Sequence, residues 1–121
     1  MGRVTLIAAL LLVLSVQANG SDLDKRTRNR LIEKFQKVRV QLSPNDSSRT
    51  AVSLRLADLL AERARLDSME ELNGDCGECN AGVKDRKLAL RIYQSALTGL
   101  DQRRAGRVLS QMGHLFEMLG E

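Results

Sequence analysis

Tryptophan is absent from this chain, and Phe35, Tyr93 and Phe116 are its whole aromatic complement. Three rings, at least two of them at core-like spacings, leave no stacked platform of the kind single-strand nucleic-acid binders use. Pro44 is the only proline and His114 the only histidine. Acid–base work at His114 lacks a positioned partner, so a surface or groove position is expected for it. No paired carboxylates, glycine-rich phosphate loop or nucleophile motif occurs. No catalytic residue, cofactor or metal is therefore expected, and the chain reads as a non-enzyme. Few β-branched or aromatic residues against abundant Leu, Ala and Arg favour helices over sheets.

One long apolar run is present, and it stands at the N-terminus. After Met1-Gly2-Arg3, residues Val4 to Val16 are interrupted only by Thr5 and Ser15, and Val16-Gln17-Ala18 offers small residues where a signal peptidase reads. A spanning helix needs about 20 apolar residues, more than this run supplies. The expectation is a secretory signal over residues 1–18, cleaved after Ala18, with a membrane anchor as the alternative and a periplasmic or secreted mature chain. No Cys follows the run as a lipid-modified anchor requires.

Negative charge is in modest deficit, 15 Asp and Glu against 19 Lys and Arg for a net +4. The excess clusters in Lys25-Arg26-Thr27-Arg28-Asn29-Arg30 and Arg103-Arg104-Ala105-Gly106-Arg107. In an exported chain these clusters do not point to nucleic acid. They read as solvated helix faces, with peripheral contact to anionic lipid headgroups or an acidic partner as the sharper reading.

Helical periodicity runs through the remainder. Leu31, Ile32, Phe35, Val38 and Leu42 form one stripe in a helix over about 23–42, which Ser43-Pro44-Asn45-Asp46-Ser47-Ser48 ends. A long second helix over about 47–72 turns Val52, Leu56, Leu59, Leu60, Ala64 and Met69 inward and Arg55, Asp58, Glu62 and Arg65 outward. A loop with three glycines follows, and a third helix over about 83–100 carries Leu88, Ala89, Ile92, Tyr93, Ala96, Leu97 and Leu100 on one face. A fourth, from Gln102 or Arg107 toward Leu119, carries Val108, Leu109, Met112, Leu115, Phe116 and Leu119. The predicted fold class is all-α, antiparallel helical hairpins. Residues 19–46 form an N-terminal helix and connector, and residues 47–121 a helical region with an inserted loop over 73–83.

Within that region Ala89, Tyr93 and Ala96 have the Ala, aromatic, Ala spacing of the second helix of a tetratricopeptide repeat, and Met112, Gly113 and Phe116 the large, small, large spacing of a first helix. Leu56, Ala57 and Leu60 repeat the latter pattern. The chain thus resembles the tetratricopeptide family. Ala89 and Met112 lie 23 positions apart, near the family's spacing; Leu56 and Ala89 lie 33 apart, which requires an insertion. The proline often found at a repeat's end is missing, and the first helix lacks the pattern. A generic helical bundle stays open as the alternative. The resemblance implies a solenoid fragment packed through those nine residues, which binds a protein partner on a curved surface. It also implies that Met112, Leu115, Phe116 and Leu119 are partly uncovered, where further repeats beyond residue 121 or a partner would dock.

Cys76-Gly77-Glu78-Cys79 is the one constellation that could carry chemistry. Its C-x-x-C spacing occurs in thiol oxidoreductases, but no strand pattern adjoins it. A zinc site would need four ligands, and His114 lies on another helix. Two cysteines in an exported protein favour a structural Cys76–Cys79 disulfide, with a reactive or intermolecular pair, metal ligation and free thiols as alternatives. The sequence therefore predicts an exported helical-repeat scaffold or adaptor with an unidentified protein partner, and as the rival a thiol–disulfide or redox-responsive protein acting through Cys76 and Cys79.

Overall fold

A computed structural model describes residues 23–74 and 80–120, and among them the chain is all-α, with four helices and no strand. The helices are α1 (Lys25–Gln41), α2 (Ser47–Asn73), α3 (Val83–Ala96) and α4 (Gln102–Leu119), with a 3₁₀ turn (Leu97–Gly99) closing α3. The signal-peptide expectation and the Cys76–Cys79 pair lie outside the described residues. No helix among those described is long and apolar enough to cross a membrane.

Three aspartates set three helix starts. Asp24, Asp46 and Asp101 accept hydrogen bonds from the backbone N–H groups of Thr27 (2.7 Å), Ser48 (2.9 Å) and Arg104 (2.8 Å), which satisfies donors that a helix leaves orphaned at its first turn. Leu42 ends α1 in extended conformation, two residues ahead of Pro44, and a short turn brings the chain to Asp46. The start of α3 is built differently. Gly82 sits in the left-handed region at φ 86°, and a Cβ there would lie 2.6 Å from the carbonyl oxygen of Ala64. Only glycine lets the chain turn this close to α2.

The α2–α3 pair makes the largest helix interface, with α1 packed mainly on α2 and α4 on α3. Side-chain bonds run in opposite order along neighbouring helices, from Arg39–Ser53 to Asn29–Arg63 and from Tyr93–Asp58 to Arg86–Ser68, so α1, α2 and α3 alternate in direction. Leu56, Ala57, Leu59, Leu60 and Ala64 of α2 bury completely, as do Ala89 and Tyr93 of α3, and Ile32, Val108, Met112 and Leu115 seal the core from α1 and α4.

Several sequence expectations need correction. The expectation of partly uncovered side chains fails at Met112 and Leu115, each only 6% exposed, while Phe116 and Leu119 are half-buried at the edge of the same core. The cause is the seat of α4 on α3, which buries this stripe inside the chain itself. Met69 was expected inward but is 49% exposed, because α2 has by then run beyond the main apolar layer; Leu109 is 55% exposed, on the flank of α4. Leu90, Arg28, Asp85 and Arg86 are buried without having been expected so.

Candidate functional site

Three helices converge on one groove. Leu54 and Asp58 of α2, Tyr93 of α3, and Arg104, Arg107, Val108, Ser110 and Gln111 of α4 enclose a cleft of about 410 Å³. At its base the Tyr93 hydroxyl donates a hydrogen bond to Asp58 Oδ1. Burial of the ring, and then the bonded carboxylate, push the Tyr93 phenol well above its ordinary pKa, so it stays a donor at every physiological pH. Tyr93 is buried and Asp58 exposed, so the pair links the core to the cleft surface.

One wall of the groove is cationic. Arg104 is anchored by Nε at 2.9 Å from Asp101 Oδ2, in the first turn of α4. Arg107, one turn on, is exposed and has no hydrogen bond or ion pair among the described residues. Positive side chains at a helix N-terminus oppose the helix dipole. Arg104 and Arg107 line the same cleft as Asp58, an arrangement able to hold anionic groups and backbone carbonyls together.

A second polar cluster ties the first three helices together. Arg63 of α2 grips Asp85 with Nε at 2.6 Å and Nη2 at 2.8 Å, and its Nη1 donates to Asn29 Oδ1 at 3.2 Å. The Asp85 carboxylate holds the Arg63 guanidinium above its ordinary range. Beside it, Arg86 donates to Ser68 Oγ at 2.8 Å, while Ser68 donates to the Ala81 carbonyl and Glu71 accepts from the Ala81 N–H. This network fastens the connector between α2 and α3 onto α2. Its bonds are all internal, which marks it as architecture. Among the described residues no three His, Cys, Asp or Glu side chains are grouped as metal ligands.

The residues singled out from sequence fall into two groups. Leu56, Ala57, Leu60, Ala89, Tyr93 and Ala96 meet at the α2–α3 interface, all buried. That is the packing expected of a repeat, and an ordinary helical hairpin shares it. Gly113 does not follow: it is exposed and a Cβ there would meet nothing within 4 Å, so it brings no two helices of this chain together. His114 is exposed, as a surface position requires. Asp58 was assigned from sequence to the solvated charged face, and its role in the groove was missed because its partner lies 35 positions away on another helix. Arg104 and Arg107 were noted only as part of a basic cluster. Compared with known proteins, the chain matches no family model, no curated protein and no solved structure.

Proposed function

We propose that this chain is an exported helical-repeat adaptor that holds a segment of a partner protein in the groove between α2, α3 and α4. The observation that carries the reading is the groove itself. Asp58, held by the Tyr93 hydroxyl at its base, and two guanidiniums on one wall offer an acceptor and donors at spaced points, and Leu54 adds apolar surface between them. Such a mix of apolar surface and few polar anchors is how proteins recognise extended segments. The tetratricopeptide-like spacings support a curved, stacked arrangement, and the N-terminal apolar run supports placement in a periplasm or secretory pathway. The basic clusters suit peripheral contact with anionic headgroups, which would hold the adaptor near a membrane surface. Capture from cell-envelope extracts at several salt concentrations is the test. The reading predicts a protein recovered by the unaltered chain and lost with Arg107→Glu, and capture that Arg107→Glu leaves unchanged would overturn the groove as the site.

A further inference from the structure

Alongside its buried stripe, α4 carries a second stripe that the described residues cover only at Phe116, whose inner side packs against the core. Gly106, Leu109, Gly113 and Phe116 recur at steps of three, four and three, so they share one flank of the helix. Leu109 is more than half exposed, Phe116 is half-buried, and a Cβ built on either glycine meets no atom within 4 Å. The flank therefore alternates small and large, hole and knob. It faces away from the groove, because Leu109 and Gln111 stand about 200° apart at roughly 100° per residue.

The order of that alternation names its occupant. Set α4 against an antiparallel copy of itself with the two-fold axis near Gln111. Leu109 then faces Gly113 of the second copy, Phe116 faces Gly106, and each contact occurs twice by symmetry. These are the a and d positions of a short antiparallel coiled coil, with each large side chain entering the gap at a glycine. The same register settles the charges. Arg103 and Glu117, both exposed, fall at the flanking positions that oppose each other across such a pair, cation to anion, again twice. A parallel arrangement would put Leu109 on Leu109 and leave Gly106 and Gly113 as paired voids.

We propose that this flank is a self-association surface: α4 pairs antiparallel with α4 of a second copy of this chain, Leu109 and Phe116 packing into Gly113 and Gly106. The pairing does not depend on the adaptor reading. One helix pair lies at the small end of stable interfaces, so the dimer should dissociate on dilution.

Analytical ultracentrifugation of the purified full chain over a range of concentrations tests this. A monomer–dimer equilibrium is expected. Gly113→Phe should weaken it at least tenfold while circular dichroism shows the helices retained, since the added ring enters open space in the monomer. Arg103→Glu should weaken it, and Arg103→Glu combined with Glu117→Arg should restore it, which only the antiparallel register explains. A chain that stays monomeric at every concentration, a dimer indifferent to Gly113→Phe, or a charge swap that fails to restore association would each overturn the proposal. So would a flank found covered by a different protein.

Discussion

Asp85→Asn keeps the shape of a side chain and removes the charge on which three helices converge. Arg63 grips that carboxylate through two short bonds while reaching Asn29 on α1, and the side chains are 27% and 11% exposed for Arg63 and Asp85. A hydrogen bond to a charged group contributes about 1.5–3 kcal/mol, and partial hydration of Arg63 places this pair toward the lower end, about 1.5–2 kcal/mol. Asp85 also stands in the first turn of α3, where its charge complements the helix dipole by about 0.5 kcal/mol. The substitution should therefore cost about 2–2.5 kcal/mol. In a domain of this size that lowers Tm by about 8–20 °C, readable by circular dichroism. A double-mutant cycle with Arg63→Gln should return a coupling of about 1–2 kcal/mol. A Tm shift below about 2 °C, or coupling below about 0.5 kcal/mol, would mean that the Arg63–Asp85 pair contributes little and that apolar contact alone holds the helices together.

Gly82→Ala should destabilise by more than about 2 kcal/mol, because it combines a left-handed backbone with a collision at the Ala64 carbonyl; a chemical denaturation curve with an unshifted midpoint would contradict this. Tyr93→Phe should cost about 1 kcal/mol in urea unfolding, since the exposed Asp58 carboxylate can rehydrate once the phenol is gone. A loss above about 3 kcal/mol would mean the pair is dry. In acid, Asp24 and Asp101 supply the sign: bonds from the Thr27 and Arg104 backbone N–H groups hold both carboxyls below their ordinary pKa. The unfolded carboxylates then protonate first, so the stability these caps confer is present above about pH 4 and is lost as pH falls through their folded values. Asp101→Asn, which keeps a capping oxygen without the titration, should flatten that slope in urea midpoints measured from pH 6 to pH 2.

Local chemistry made the helices legible. Ser43-Pro44-Asn45-Asp46 marks the end of α1 and the start of α2 because proline and side-chain caps act within a few residues, and those boundaries fall within two residues of expectation. The apolar stripe of α3 was equally readable, since Ala89, Ile92, Tyr93 and Ala96 bury as their spacing requires. Periodicity shows that a stripe is covered and says nothing of by what. Spacing alone leaves Met112 and Leu115 open to a partner, whereas the fold already covers them, and Leu109, on the flank of α4, holds the exposed position instead. The groove was less legible still. Asp58 resembles its charged neighbours Arg55 and Glu62 in sequence, and only the crossing of α2 and α3 sets it under Tyr93. Arg63 and Asp85, 22 positions apart, are invisible to any local pattern for the same reason.

If the groove between α2, α3 and α4 receives another protein, in-cell photo-crosslinking will capture it there. A photoreactive residue at Gln111, inside the groove, is compared with one at the exposed Glu33 on α1. An adduct is expected from Gln111 whose added mass differs from that of a second copy of this chain, lost with Arg107→Glu and absent from Glu33. No adduct at Gln111, or the same adduct from both positions, would contradict it.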